Sequence, residues 1–283
     1  MLHDISPKQY HCEYGEHAPR GDDFAIVFDG NKALLKDEGG ALRFPRFSEL
    51  GESGAPFRYI FSVDDERFFM PDSFAQPAAI PVPEGFAMVE AGAFRIQEPR
   101  HMAFAGVTAH MLHLWYEARK FCGRCGAANT HSETERASVC PVCGLIEYPK
   151  ISPVVIVAVT DGDRLLVTKY ANRPFNQYAL VAGFVEIGEA LEDAVRREVL
   201  EETGVRIKNP RYYKSQPWGF SSSLLNGFFC ELDGDAAITL DQNELSEAVW
   251  LPRGDIPPSN SSVALTAEMM ELFRTGGDAP FRT

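Results

Sequence analysis

The stretch REVLEETG, Arg197 to Gly204, holds three carboxylates, Glu198, Glu201 and Glu202. On a helical wheel of about 100° per residue, Glu198 and Glu202 fall within about 20° of Leu191, inside the stripe that carries the apolar residues of this segment. A solvated helix would place its acids on the opposite side. Because burying an unpaired carboxylate costs several kcal/mol, the pattern indicates a site for a cation that prefers oxygen ligands.

The neighbouring residues suggest how such a site is built. Glu198 and Glu202, one turn apart, can offer two ligands to Mg²⁺ or Mn²⁺. Arg197 and Glu201 form an i,i+4 pair, so Arg197 is expected to orient Glu201. Glu189 is expected in the first turn of the helix, favoured by the helix dipole, or as an outer partner of the site. The alternative is a helix whose acids merely pair with basic neighbours.

Four cysteines form two CxxC pairs separated by fourteen residues, and a glycine follows each pair. Four thiolates can close a tetrahedral shell around Zn²⁺ and leave no position for water, so we expect one structural zinc ion per chain. The segment between the pairs has one arginine against two glutamates, which disfavours a nucleic-acid surface, and His131 within it is expected to be a solvated loop residue. The expected zinc ligands are Cys122, Cys125, Cys140 and Cys143.

Other elements must position these groups. The 283 residues suffice for two modest domains. Apolar runs around polar turns predict a β-rich N-terminal region, followed by a helix over roughly Ala105 to Arg119. From Ile151, two β-branched runs around an Asp-Gly turn predict a hairpin. The acidic helix follows and should end at Gly204 in a left-handed conformation, with later strands and a last helix near VALTAEMMELF.

The composition restricts the class of protein. A net charge of −13, from 27 basic and 40 acidic residues, argues against binding nucleic acid by phosphate neutralisation, although a local basic groove is compatible with it. No segment approaches the roughly 18 to 20 apolar residues of a membrane span, and the first residues lack the features of a secretion signal. The sequence predicts a soluble cytoplasmic protein without a membrane partner.

The acidic segment belongs to a longer pattern, GFVEIGEALEDAVRREVLEETGV, which begins at Gly183. It resembles the Nudix box, G-x5-E-x7-R-E-U-x-E-E-x-G-U with U apolar, at every fixed position. The resemblance implies an α/β/α sandwich around a mixed sheet and gives Glu198, Glu201 and Glu202 catalytic roles. It also implies that the carbonyl of Ala182 and a later glutamate complete the shell of the catalytic Mg²⁺ or Mn²⁺. Glu244 is the candidate, with Glu247 second.

A four-cysteine ribbon before a Nudix domain, with SQPW after the box, resembles the NADH pyrophosphatase family. That resemblance implies hydrolysis of the pyrophosphate of NAD(H) to NMN(H) and AMP, and a homodimer; some bacterial members remove NAD caps from RNA. The fold class expected is α+β. Its parts are a β-rich N-terminal domain over residues 1–118, a zinc ribbon over 119–150 and a Nudix domain over 151–283.

The family's substrate motif is S-Q-P-W-P-F-P-x-S, and here Gly219 and Ser221 replace two of its prolines. Because glycine adds backbone freedom, this loop is expected to be less preorganised. Gln216, Trp218 and Phe220 suit stacking on a base and hydrogen bonding to it. The substrate contacts that the resemblance implies are Glu135, Tyr148, Phe184, Gln216, Pro217, Trp218, Gly219, Phe220, Ser221, Ser222, Ser223 and Ala264.

Several alternatives stay open. The substrate can be ADP-ribose, another nucleoside diphosphate derivative or an NAD-capped RNA, although capped RNA would need a basic approach surface that the sequence does not locate. A non-catalytic Nudix-fold protein that binds a nucleotide is the alternative from another class, and the intact glutamates and acidic charge disfavour it. Trp218 can instead fill a domain interface, and Tyr148 can be a domain-junction residue.

Overall fold

The computed structural model describes residues 1–51, 53–171, 177–259 and 263–281. The chain divides into two units. The first unit holds Leu2–Lys150 and Gly219–Ser221, and the second holds Met1, Ile151–Trp218 and Ser222–Thr283. None of the helices in the described part of the chain has the length and apolar run that a membrane crossing requires.

The N-terminal part of the first unit is built from short strands, as its apolar runs and turns predict. One sheet has the order β1-β6-β7-β2, and a second joins β3, β4 and β5, with β8 paired to β4. A four-residue helix, α1 (Phe47–Leu50), lies between β5 and β6. The strands are β1 (Tyr10–His11), β2 (Phe24–Ala25), β3 (Phe28–Asp29), β4 (Lys32–Asp37), β5 (Leu42–Arg43), β6 (Phe57–Val63), β7 (Glu66–Pro71) and β8 (Phe86–Glu90).

The long helix of this unit is α2 (Arg100–Glu117). It begins five residues before the predicted start, directly after Pro99, which has the extended conformation of an N-cap residue. Eleven of its residues are buried, and six of these share a core with Phe24 and Phe61 of the first sheet and Leu35 of the second. Because the helix is apolar on most of its surface, its periodicity marks the first turn poorly.

Three strands of two residues each follow, β9 (Thr130–His131), β10 (Ser138–Val139) and β11 (Ile146–Glu147). They form an antiparallel sheet in the order β11-β10-β9. The first CxxC pair precedes β9, and the second lies between β10 and β11.

The second unit contains a six-stranded mixed sheet. Its order is β15-β16-β12-β13-β17, with β14 paired to β12; β12 and β16 run parallel, and the other pairs are antiparallel. The predicted hairpin is β12 and β13, joined through Gly162 at φ 57°. The elements are β12 (Ser152–Asp161), β13 (Arg164–Tyr170), β14 (Val181–Phe184), α3 (Leu191–Thr203), β15 (Ile207–Trp218), β16 (Ser223–Leu232), β17 (Leu245–Pro252) and α4 (Leu265–Arg274).

The two faces of β12 explain the layers of this unit. Successive side chains of a strand point to opposite faces. Val155, Val157 and Val159 share a core with buried residues of α3, whereas Val154 and Ile156 share another with residues of α4. One helix therefore covers each face, and the predicted α/β/α sandwich with a mixed sheet is confirmed.

Candidate functional site

Helix α3 carries the acidic segment, and its burial pattern agrees with the helical wheel. Glu198 and Glu202 are buried together with Ala194, Val195 and Val199, whereas the opposite side of the helix is exposed. Gly204 follows the last turn at φ 70° and ψ 0°, the left-handed conformation expected there. The amphipathic helix therefore buries two acids on its apolar face.

These acids line a cavity of about 280 Å³. Three of the lining side chains come from α3 and two from the segment that leads into β17. Every lining residue carries a carboxylate, so the cavity has a strongly negative potential that favours cations. The lining residues are Glu198, Glu201, Glu202, Asp241 and Glu244.

Glu202 is the most unusual of them. Its exposed fraction is 3%, and neither carboxylate oxygen has a hydrogen-bond partner in the described part of the chain. Burial raises the pKa of Glu202 to about 8, and the charges of Glu198, Glu244 and Asp241 contribute to this rise. Two free oxygens at the wall of an acidic cavity fit a hard divalent cation, which would supply the positive charge that the protein does not.

Arg197 organises the other acids. Its Nε and Nη2 donate to the two oxygens of Glu189, at 2.7 and 2.8 Å, which is a bidentate fork. Its Nη1 donates to Glu198 at 2.8 Å and to Glu201 at 3.0 Å, and Nη2 also donates to the carbonyl of Phe184 at 3.0 Å. The bonds from Arg197 hold the pKa of Glu189 down at about 2, while burial raises the pKa of Glu198 against the opposing effect of Arg197.

Glu189 is therefore a partner of Arg197, one of the two roles considered for it. It precedes α3, which begins at Leu191, so the first-turn alternative is wrong. Its Oε2 also accepts from the backbone N–H of Glu186 at 3.0 Å, which closes the loop between β14 and α3.

The surroundings of Gly183 explain why a glycine opens the box. A Cβ built on Gly183 would lie 1.9 Å from Cδ of Glu198, far inside the contact distance of two carbon atoms. The bare backbone of β14 thus leaves the space that the Glu198 carboxylate occupies. Ala182 lies on the same strand, one residue before this contact, and is not among the cavity-lining residues that the structure describes.

The structure distinguishes the two later candidates for a metal ligand. Glu244 lines the cavity, whereas Glu247 accepts from Lys169 Nζ at 2.6 Å and from the Tyr178 hydroxyl at 2.9 Å. The lysine and the tyrosine lower the pKa of Glu247, so this carboxylate is charged and already paired. Asp241 was not predicted. Its position three residues before Glu244 in DQNEL, one turn away in sequence, is the signal that could have indicated it.

The part of the substrate motif in the second unit ends β15. Gln216 is fully buried; its Nε2 donates to the carbonyl of Val263, and its Oε1 accepts from the N–H of Leu265, both at 2.7 Å. The amide therefore holds the backbone on both sides of Ala264, and a direct contact with a base, as predicted, is not available to it in this structure. Trp218 is half-buried and packs on the core beneath α4.

Two predicted contacts have very different exposure. Phe184, at the end of β14, is 55% exposed. Ser223, which opens β16, is buried, and Ser222 before it has φ 52°. An exposed aromatic ring can stack on a planar ligand without rearrangement of the protein. A buried serine side chain cannot contact a ligand unless the protein rearranges.

The rest of the motif, Gly219–Ser221, belongs to the first unit. A Cβ on Gly219 would lie 2.7 Å from Cγ2 and 2.8 Å from the carbonyl oxygen of Val107 on α2. Gly219 is buried in this close approach, so the expectation of a looser loop at this position is wrong. Phe220 packs against the first unit's core, with the Arg95 guanidinium 3.9 Å from its ring centroid.

The four cysteine sulfurs lie within 4.8 Å of one another, with two cross-pair distances of 3.5 and 3.6 Å. A tetrahedral zinc shell with Zn–S bonds of about 2.3 Å separates its sulfurs by about 3.8 Å. Both knuckles have the same local geometry: Gly126 and Gly144 adopt φ 76° and 71° and donate to the carbonyls of Cys122 and Cys140. The donation from the N–H of Cys143 lowers the pKa of the Cys140 thiol to about 6, whereas, against the donation from the Ala127 N–H, the hydrogen bond to Cys140 raises the pKa of the Cys125 thiol to about 12. The residues fit a structural zinc ion.

His131 is not the solvated loop residue that the sequence suggested. Its side chain is 9% exposed, its Nε2 lies 2.8 Å from Oδ1 of Asp72, and its ring lies against Phe74. The ribbon also presents a pair of predicted ligand contacts, because the Tyr148 hydroxyl donates to Glu135 at 3.1 Å and Tyr148 is 59% exposed.

Comparisons with known proteins agree with this organisation. The NUDIX domain matches residues 150–273, and the NADH pyrophosphatase zinc ribbon domain matches residues 119–148. The chain is 40% identical over 149 residues to the NAD-capped RNA hydrolase NudC of Photobacterium profundum, a match covering 53% of this chain and 54% of that protein. It is 43% identical over 143 residues to the NAD-capped RNA hydrolase NudC of Citrobacter koseri, covering 50% and 55%.

The alignment thus spans about half the length of these relatives. A solved NUDIX hydrolase structure from Nitrosomonas europaea aligns with 55% of this chain and 90% of its own at 23% identity, with a TM-score of 0.48. The sandwich and its box helix define a Nudix domain, and the four-cysteine segment before it is a zinc ribbon. The chain carries a NUDIX domain over residues 150–273 and the zinc ribbon domain of NADH pyrophosphatases over residues 119–148, as the sequence resemblance implied.

Proposed function

We propose that this chain hydrolyses the pyrophosphate bond of NAD(H) and releases NMN(H) and AMP. The observation that carries the proposal is Glu202, a buried carboxylate with both oxygens unpaired among the described residues, at the wall of a cavity lined by acids. Such a site is costly unless a cation binds there, and a bound cation can in turn hold a phosphate. The names of the relatives support NAD as part of the substrate.

The catalytic metal we propose is Mg²⁺ or Mn²⁺, because both prefer oxygen ligands. Glu198, Glu202 and Glu244 would hold it, together with the carbonyl of Ala182. When bound, the metal would offset the charge of the pyrophosphate oxygens and lower the pKa of a water molecule.

The residues of the chain then have distinct tasks. Arg197 fixes Glu198 and Glu201 while its fork on Glu189 keeps the guanidinium in place. Glu201 is exposed and lines the cavity, so it can pass a proton between the attacking water and solvent. Glu198 and Glu202, whose carboxylates are buried, would lie beside the bound cation, which would favour their charged forms close to the reacting phosphate.

For the dinucleotide, we propose that Phe184 and Trp218 supply aromatic surface for the bases, each stacked base contributing about 1–3 kcal/mol. Ala264 would contact the substrate through the backbone that Gln216 holds. Glu135 and Tyr148, which form an exposed polar pair, would also contact the substrate. Roles for Pro217, Gly219, Phe220 and the three following serines rest on the family motif alone.

Further proposals concern partners and location. NAD-capped RNA is the second candidate substrate, supported by the names of the two relatives. A homodimer is proposed from the family resemblance. A cytoplasmic location is proposed because four of the six cysteines form a group suited to zinc, which requires reduced thiols.

The test is to incubate the chain with NADH, NAD⁺, ADP-ribose and NAD-capped RNA, each with Mg²⁺ or Mn²⁺, and to resolve the products. We expect NMNH and AMP from NADH, and loss of turnover by at least about 100-fold in Glu202→Gln. The matched control is Glu192→Gln, an exposed acid of the same helix, which should retain activity. Unchanged turnover in Glu202→Gln, or no cleavage of NADH with either metal, contradicts the proposal.

A further inference from the structure

Asp241 lies on the segment between β16 and β17 and lines the acidic cavity, although no motif of the box includes it. Its backbone connects two other cavity acids. The N–H of Asp241 donates to the carbonyl of Glu202 at 3.0 Å, and its carbonyl accepts from the N–H of Glu244 at 3.3 Å and of Leu245 at 2.9 Å. The residue is therefore fixed between the end of α3 and the start of β17.

The two oxygens of its side chain are used differently. Oδ1 accepts from the backbone N–H of Asn243 at 2.9 Å and from Nδ2 of Asn243 at 3.0 Å, which closes a local turn. No described residue donates a hydrogen bond to Oδ2 of Asp241 or forms an ion pair with it. Arg197 forms ion pairs with Glu198 and Glu201, whereas Asp241 forms no ion pair within the described residues.

Glu202 gives independent evidence that the cavity takes a ligand, because its oxygens are buried beside Asp241 and remain unpaired in the described part of the chain. The spacing of the acids indicates what kind of ligand. Among the described residues, only the four cysteines form a group whose ligand atoms all lie within 4.8 Å. The cavity acids are spread more widely, which suits a cation that keeps part of its hydration shell, as Mg²⁺ usually does.

We propose that Asp241 is a further carboxylate of the divalent-cation site, with Oδ1 fixed by Asn243 and Oδ2 accepting a hydrogen bond from water of the hydrated cation. It acts on the reaction through the cation and is a positioning residue. The inference rests on the proposed metal-dependent function. It adds a residue from outside the box to that site.

The test measures binding of Mn²⁺ to the full chain after chelation and dialysis, from the electron paramagnetic resonance signal of free Mn²⁺ and without substrate. Asp241→Asn keeps acceptors for the turn but removes the charge, and we expect its Mn²⁺ affinity to fall about tenfold. Asp255→Asn, which removes an exposed aspartate outside the cavity, is the matched control and should bind as the wild type does. Thermal unfolding in chelator should show no loss of stability in Asp241→Asn, because one like charge near Glu202 is gone.

Wild-type affinity in Asp241→Asn, with weaker binding only in Asp241→Ala, would mean that the turn alone matters and would overturn the proposal. If Asp241→Asn proves less stable, Asp241→Glu decides: near-wild-type affinity supports a role of the charge, and a tenfold loss refutes it. A wild-type chain that binds no Mn²⁺ refutes the proposed function itself. Binding by the wild type without cleavage of NADH refutes the substrate and leaves the role of Asp241 standing.

Discussion

At the scale of single residues, charge balance decides the properties of the cavity. Within the described parts of the chain, Arg197 is the cation that forms ion pairs with cavity acids, Glu198 and Glu201, and it also pairs with Glu189 outside the cavity. Glu202 receives none of them, and its neighbours are carboxylates. The metal-free fold therefore carries an electrostatic cost at Glu202 that a bound cation would remove.

Glu202→Gln should stabilise the metal-free chain above neutral pH. The pKa of Glu202 is about 8 in the folded chain, against an ordinary value of 4.5. Below pH 4.5 both states are protonated, so the group costs nothing; as pH rises toward 8 the unfolded state ionises first and the folded state loses stability. Water that enters the cavity weakens the repulsion between the acids, so the gain is smaller than the full pKa shift would give. We expect the variant to be more stable than the wild type by on the order of 2 kcal/mol at pH 8.

The measurement is the free energy of unfolding in chelator at pH 5 and pH 8, with Glu192→Gln as the control. Adding Mn²⁺ should reverse the order, since the wild type gains stability from the ion and the variant loses a ligand. Equal stability of both chains at pH 8 would show that Glu202 is not destabilised by burial.

Gly183→Ala should abolish most of the activity without removing any acid. The new methyl group would lie 1.9 Å from Cδ of Glu198, so it would overlap that carboxylate and displace it. A displacement of about 1 Å in such a site costs about 100-fold in rate, so kcat should fall by that factor. Gly254→Ala is the control, because a Cβ there meets nothing within 4 Å. Normal kcat in Gly183→Ala would show that Glu198 tolerates another position.

At the scale of elements, Gln216 joins β15 to the start of α4. Ala264 is the N-cap residue of α4 and makes no side-chain cap, so the Gln216 amide replaces the missing cap by accepting from Leu265. The residue of the motif that most resembles a substrate-binding group is thus a structural connection in this fold.

Gln216→Ala should lower the free energy of unfolding by about 1–3 kcal/mol, because the N–H of Leu265 and the carbonyl of Val263 lose their hydrogen bonds to the buried Gln216 amide. It should also raise KM more than it lowers kcat if Ala264 contacts the substrate. Denaturant unfolding and steady-state kinetics with NADH provide the two readouts. Gln242→Ala, an exposed position, is the control, and an unchanged unfolding midpoint in Gln216→Ala would contradict the capping role.

The same elements show how far sequence reasoning reaches. The wheel of α3, its end at Gly204 and the β12–β13 hairpin depend on local periodicity and turn chemistry, so they could be predicted. The close approach of Gly219 to Val107 could not, because it depends on packing between segments more than a hundred residues apart. For the same reason Asp241 was missed, since a backbone bond to Glu202 brings it to the cavity.

At the scale of the whole molecule, the two sites proposed for metal ions differ in chemistry and belong to different units: four cysteines in the first, and carboxylates in the second. The ribbon strands have only two residues each, so they bury too little apolar surface to fold without a cross-link. The sheet of the second unit has its own buried cores on both faces. The dependence on zinc should therefore be local.

Removing zinc, by a strong chelator or by Cys140→Ser, should unfold the ribbon and spare the second unit. In hydrogen exchange we expect residues 119–150 to lose protection because the thiolates that close the shell repel one another without the ion, while β12 to β17 keep theirs. Cys12→Ser, which replaces an exposed cysteine outside the four, should retain one zinc per chain. Loss of protection throughout α3 and β12 would show that the zinc centre stabilises the Nudix domain as well, and an unchanged zinc content in Cys140→Ser would refute the four-cysteine site.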